Sequence, residues 1–125
     1  MIKKIYNSVA LQILVSICFT FCVSAAEFAE GMEDIPIMQG LVQIQNNNVS
    51  FGNEETRFIE IYVSGKGVKF DEVSSFYKNT LPQLGWKFKN NKGGVLHFER
   101  DMEVLDIARE EVSPLLVRIT LKSKN

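Results

Sequence analysis

The sequence predicts an α+β domain: a single antiparallel sheet with one helix packed on one face, in the order β-β-α-β-β-β-β. Three observations point there. An apolar stripe with helical spacing occurs over residues 73–84, runs with period-two alternation flank it on both sides, and short polar turns join those runs.

The first segment is read as an address rather than as part of that domain. Lys3 and Lys4 form a positive start, and Val9–Val23 is an apolar run interrupted only by Gln12, Ser16 and Thr20. The run is too short for a good membrane span and ends in small residues, with Val23-Ser24-Ala25 or Ser24-Ala25-Ala26 fitting a signal-peptidase site. Residues 1–25 are therefore expected to be a cleaved secretory signal peptide. The mature chain then starts near Ala26 or Glu27, and nothing after Val23 prolongs the run into an anchor.

Both cysteines, Cys18 and Cys22, lie in this segment. A lipoprotein signal needs a small residue just before its cysteine, whereas Ile17 and Phe21 stand there. The mature chain carries no thiol, so disulfides, cysteine nucleophiles, cysteine-based zinc sites and thiol redox chemistry are excluded. A domain of about 100 residues must then be held by its apolar core alone. Removing residues 1–25 leaves 12 basic against 15 acidic side chains, a net charge near −3. Such a surface does not attract phosphate backbones at long range, and nucleic acid is not an expected partner.

Residues 26–48 are expected to form an extended N-terminal arm. Gly31, Pro36 and Gly40 among acidic residues argue against a helix, while Ile35, Ile37, Met38, Leu41, Val42 and Ile44 are too apolar for a bare linker. Asn46–Asn48 is read as the loop that closes the arm, and the Asn48-Val49-Ser50 sequon as a surface turn. The α+β domain proper is placed at residues 49–125.

Within it, VSFG (49–52), a polar turn at Asn53–Thr56 and RFIEIYVSG (57–65) read as a hairpin. Ile59, Ile61 and Val63 share its core face; Phe58, Glu60 and Tyr62 share the other. The helix stripe is Val73, Phe76, Tyr77, Thr80, Leu81 and Leu84, with Asp71 and Glu72 suited to the first turn by the helix dipole. Pro82 removes a backbone donor, so the regular helix should kink or stop by about Leu81, and Gly85 suits its left-handed cap. WKFKN (86–90), VLHFER (95–100), EVLDIAR (103–109) and PLLVRITLK (114–122) then read as antiparallel strands. In the last, Leu115, Val117, Ile119 and Leu121 alternate with Leu116, Arg118, Thr120 and Lys122, the pattern of a sheet buried on one side only. The Asp101-Met102 connection is the least regular boundary, because such short turns prefer Gly, Asn or Asp where φ is positive.

The stretch FYKNTLPQLGW, with DIPIMQGL and VSFGNEETRFIEIYVSG before it, resembles an uncharacterised family of small exported bacterial proteins best represented among alphaproteobacteria. The shared motif is a Val-x-x-Phe-Tyr-x-x-x-Leu-Pro-x-Leu-Gly-Trp helix between a hairpin and a strand meander, and the resemblance spans about Met32 to Leu121. It implies export and fold. It implies no activity and supplies no catalytic residue.

The residues themselves offer little catalytic chemistry. His97, the one histidine, faces outward beside Glu99 if Leu96 and Phe98 point inward, which makes an acid–base couple conceivable. No Gly-x-Ser-x-Gly elbow occurs around Ser50, Ser64, Ser74, Ser75 or Ser113, so a solvated pair is the plainer reading. One histidine without cysteine does not make an ordinary zinc site. Ser64-Gly65-Lys66-Gly67 lacks phosphate-loop spacing, and Glu54-Glu55 and Glu110-Glu111 lack calcium-loop spacing. No catalytic residue, metal or cofactor is therefore expected.

The candidate binding residues are Phe58, Tyr62, His97 and Arg118, on the sheet face opposite the helix, among Lys87, Lys89, Val95, Glu99, Val104 and Leu116. Aromatic and Arg groups on an otherwise polar face are what recognition surfaces use. A second candidate, Ile35-Pro36-Ile37-Met38, either docks on a partner or covers the chain's own sheet edge. The expected function is an exported, non-enzymatic interaction or accessory module of the bacterial envelope, whose partner is another envelope protein. The competing readings are a small periplasmic hydrolase using His97 and Glu99, and a small-ligand carrier with a pocket near Tyr77 and Trp86.

Overall fold

The computed structural model describes residues 27–53 and 55–124. The expected signal peptide, with Cys18 and Cys22, lies outside them. Among the described residues no helix is long and apolar enough to cross a membrane.

The described residues form eight strands and one helix: β1 (Phe28–Ala29), β2 (Met32–Pro36), β3 (Val42–Gly52), β4 (Arg57–Gly65), α1 (Phe70–Thr80), β5 (Lys87–Lys92), β6 (Val95–Arg100), β7 (Glu103–Val112) and β8 (Leu115–Ser123), with a 3₁₀ turn at Leu81–Leu84 between α1 and β5. β1 and β2 make a two-stranded ribbon. The other six strands form one antiparallel sheet in the order β3-β4-β8-β7-β6-β5.

The predicted fold class is thereby corrected. Among the described residues there are two sheets rather than one, the structure is mostly β, and the element order is four strands, the helix, then four strands. The boundary expected between Asn48 and Val49 falls inside β3, so the stretch read as an arm supplies the ribbon and most of an 11-residue strand.

The reason lies in a register irregularity. Ile44 faces Tyr62, yet Val49 faces Glu60, so four β3 residues bulge against a single β4 position. Val42 and Ile44 lie on the same side as Val49 and Phe51, but an odd number of positions separates the two pairs, and a period-two pattern is broken there. The Asn run reads as a loop because it fills the bulge.

One face of the large sheet is covered. Ile59, Ile61 and Val63 of β4, Leu96 and Phe98 of β6, Leu105 and Ile107 of β7, and Leu115, Val117, Ile119 and Leu121 of β8 form one core with Ala29, Met32, Ile35, Ile37 and Leu41 of the N-terminal segment and Val73, Tyr77, Leu81 and Trp86. Ile35 and Ile37 are buried, which places the Ile35–Met38 segment against this core. The Glu30 turn of the ribbon is held to β3 reciprocally: its N–H donates to Gln43 Oε1 at 2.8 Å, and Gln43 Nε2 donates to its carbonyl at 3.0 Å.

The helix stripe is narrower than its periodicity predicts. Val73, Tyr77 and Leu81 are fully buried, Phe76 is half-buried, and Leu84 is exposed. The exposure of Leu84 follows from Pro82: α1 stops at Thr80, and the tighter 3₁₀ turn shifts the phase of the residues after it. Gly85 then takes φ 91°, its N–H and that of Trp86 closing back on Pro82 and Leu81. A Cβ at Gly85 would also lie 3.3 Å from Arg100 Cδ. Arg100 itself lies over the Trp86 ring, 4.3 Å from its centroid, donates to Leu84 O at 3.1 Å, and pairs with Asp34 of β2. One guanidinium thus ties ribbon, turn and sheet together at the rim.

At the centre of the cover, the Tyr77 hydroxyl donates to Pro36 O at 2.8 Å. Burial pushes its pKa above the usual tyrosine value, against a smaller pull from the Met38 backbone, so it stays a neutral donor across the working pH range. Tyr77→Phe leaves the Pro36 carbonyl unpaired in the core and is expected to cost about 1–3 kcal/mol. Tyr77→Ala adds a cavity and is expected to cost about 3–5 kcal/mol. Denaturant midpoints at unchanged m-value measure both.

Candidate functional site

The other face of the six-stranded sheet has no covering layer among the described residues. Register alone lays out its side chains, because residues directly opposite one another on antiparallel strands share a face. One row runs Ile44, Tyr62, Arg118, Ala108, Val95 from β3 to β6. The next runs Val49, Glu60, Thr120, Asp106, His97, Asn90 from β3 to β5, and a third Phe51, Phe58, Lys122, Val104, Glu99, Lys87.

All four candidate residues therefore stand on this face, though not together. Tyr62 is directly opposite Arg118, and Phe58 lies two rows along the same strand as Tyr62. His97 is on β6, with β7 between it and Arg118. Val104 and Ala108 point the same way yet are buried, being small residues between longer side chains on β6 and β8.

The β3–β4–β8 half is the apolar half. Phe51 and Phe58 stack with centroids 5.0 Å apart and planes 13° apart. Val42 (71% exposed), Phe51 (63%) and Val49 (43%) are exposed large apolar residues among those described. Beside them Arg118 is held in place, its Nε 3.2 Å from Glu110 and 3.5 Å from Glu60, while Thr120 donates to Glu60 at 3.1 Å. This orients a guanidinium on the residue opposite Tyr62, and both side chains stay partly exposed.

The β6–β7–β5 half is ionic. His97 Nδ1 lies 2.6 Å from Asp106 Oδ1. Glu99 is taken by Lys124 at 2.6 Å and Lys89 at 3.6 Å. The couple expected between His97 and Glu99 is thus replaced by two separate pairs. The Thr120 hydroxyl, next to Asp106 in the same row, is already donated to Glu60 and is not aligned with the imidazole as a nucleophile would be. His97 and Asp106 border a shallow open depression with Asn90, Lys92 and Val95. Among the described residues no three His, Cys, Asp or Glu side chains converge as a metal site would require. Tyr77 and Trp86, the proposed walls of a ligand pocket, are packed side chains of the core.

Sequence reasoning missed Val42 and Ile44, whose half of β3 was read as an arm because the bulge breaks the alternation, Phe51 as a member of the open face although its strand was read, and Asp106 as the partner of His97. A signal for Asp106 was present. A two-residue turn at Asp101-Met102 sets Arg100 opposite Glu103 and hence His97 opposite Asp106, and Asp101 takes the positive φ of 52° that such a turn needs.

Comparisons with protein-family models, with curated proteins and with solved structures each return no match.

The Lys124 hydrogen bond, helped by the charges of Lys124, Lys89 and His97, holds the Glu99 carboxyl below its usual value against an opposing desolvation. A group depressed in the folded state stabilises above its unfolded pKa, and that stability is lost as pH falls through the folded value. NMR titration is expected to place Glu99 below an ordinary glutamate, and Lys124→Ala to return it upward more than Lys89→Ala does.

Proposed function

We propose that this chain is an exported, non-enzymatic interaction module of the bacterial envelope, holding another envelope protein against the open face of its sheet. The observation that carries the reading is the asymmetry of that sheet. Ribbon, helix and 3₁₀ turn cover one face, while the other presents a Phe51–Phe58 stack and, two rows along β4, Tyr62 opposite an oriented Arg118. Aromatic rings and arginine are the side chains that most often dominate binding energy. A ring pre-stacked and a guanidinium pre-positioned lose little freedom on docking.

Export rests on the Lys3-Lys4 start, the Val9–Val23 run and the small residues after it, and on the resemblance of the FYKNTLPQLGW helix to small exported alphaproteobacterial proteins. His97 is paired to Asp106 and Glu99 to Lys124, so the His97–Glu99 couple of the hydrolase reading is not formed, which supports a face that acts by contact.

Cell fractionation is expected to find a chain shortened to begin near Ala26 or Glu27 in the periplasm. A photo-cross-linker in place of Tyr62 is expected to capture one specific protein there, and the same group in place of Gln83, on the helix side, to capture none. Phe58→Ala and Arg118→Ala should each weaken that complex about tenfold or more while leaving the circular dichroism unchanged. Equal capture from both positions, or none from Tyr62, counts against the proposal.

A further inference from the structure

The lysines of the open face are gathered on one side of it. Lys87, Lys89 and Lys92 stand on β5, Lys122 on β8 and Lys124 directly after it, and all five are exposed. Register sets Lys87 opposite Glu99, Lys92 opposite Val95 and Lys122 opposite Val104, all in rows of the open face. Lys89 and Lys124 reach that face through Glu99, at 3.6 and 2.6 Å.

Lys87, Lys89 and Lys124 border one depression around Glu99, whose single carboxylate does not balance them. Over the whole side five lysines face Glu99, Asp101 and Asp106, and His97 already takes Asp106. Among the described residues Lys87, Lys92 and Lys122 form no ion pair. Residues 26–125 carry 12 basic against 15 acidic side chains, so this side reverses the sign of the chain. Protection of a free edge accounts for the lysines and the bulge of β5. It does not account for Lys122, because β8 lies inside the sheet, between β4 and β7. Like charges gathered on one face repel, and an acidic partner relieves that repulsion.

We infer that the envelope protein held by the open face presents an acidic segment to its lysine side, laid over Lys87, Lys89, Lys92, Lys122 and Lys124 by side-chain contact rather than by strand pairing. The inference rests on the proposed function and names the chemistry of that partner. The other half of the face sets the shape of the occupant. There Arg118 is shared between Glu60 and Glu110, which leaves carboxylate in excess. A flat anionic surface such as a lipid bilayer would meet both halves at once, whereas a narrow segment follows the lysine side alone. β5 is six residues long, about 20 Å, and about six extended residues span it. Exposed ion pairs are individually weak, so the lysines govern encounter and choice of partner while the aromatic half supplies the grip.

Titration of the purified exported protein with hexaglutamate, followed by amide NMR shifts, tests the chemistry without the partner. Shifts are expected in β5, in β6 and at the Lys122–Lys124 end of β8, and not in α1, and added salt is expected to reverse them. Lys87→Glu combined with Lys122→Glu should weaken the binding about tenfold or more with unchanged circular dichroism, and Lys66→Glu, in the turn after β4, should leave it as it was. The same double reversal is expected to cut photo-capture from Tyr62 about tenfold. Absence of hexaglutamate shifts, shifts indifferent to the double reversal, or undiminished capture by the doubly reversed chain would each overturn this inference alone. Sedimentation with phosphatidylglycerol vesicles in the absence of hexaglutamate shifts would assign the lysines to a lipid surface and overturn it too. No capture from Tyr62 of the unaltered chain would overturn the proposed function, and this inference with it.

Discussion

The hydrogen bond from Tyr77 to the carbonyl of Pro36 joins the two pieces that cover the sheet. It spans 41 positions of sequence and lies where the helix meets the N-terminal segment. A phenol hydroxyl sealed in an apolar core needs an acceptor, and the end of β2 presents one. The helix by itself is 11 residues long, too short to be stable alone. Its position is set by what Val73, Tyr77 and Leu81 bury and by this one directional contact, so the ribbon and the helix hold each other over the same core.

From that arrangement follows the division of labour between the faces. Stability comes from the covered side, where the large side chains lie, with the Arg100 and Arg57 ion pairs at its rim; Arg57 grips Glu103 through two hydrogen bonds, of 2.6 and 3.0 Å. The pairs on the open face are solvent-accessible and contribute little to stability. They orient side chains more than they hold the fold. The open face is thus free to vary its chemistry at small cost in stability, which is what a docking surface requires.

Elements buried on one side with regular alternation were legible in the sequence. β4 and β8 show period two without interruption, and α1 shows its period together with its stop, because Pro82 and Gly85 act locally on the backbone. The ribbon was not legible. Its buried residues Ala29, Met32 and Ile35 are spaced by three across a turn, a spacing that belongs to no extended pattern, and their burial depends on a helix far along the chain. The second half of β3 was read as a hairpin strand, but its first half was hidden by a bulge that breaks the alternation, and with it went Val42 and Ile44. The four candidate residues could be placed on one face from alternation alone. Which of them are neighbours depends on strand order, and strand order is set by long-range pairing that a local pattern does not encode.

Removal of residues 27–41 tests most directly whether the N-terminal segment is part of the core rather than an appendage. The shortened chain loses Ala29, Met32, Ile35, Ile37, Leu41 and the acceptor for Tyr77 at once. It is expected to show no cooperative unfolding transition in denaturant, with its β4 and β8 amides exchanging freely. A cooperative transition with the midpoint and m-value of the longer chain would contradict this.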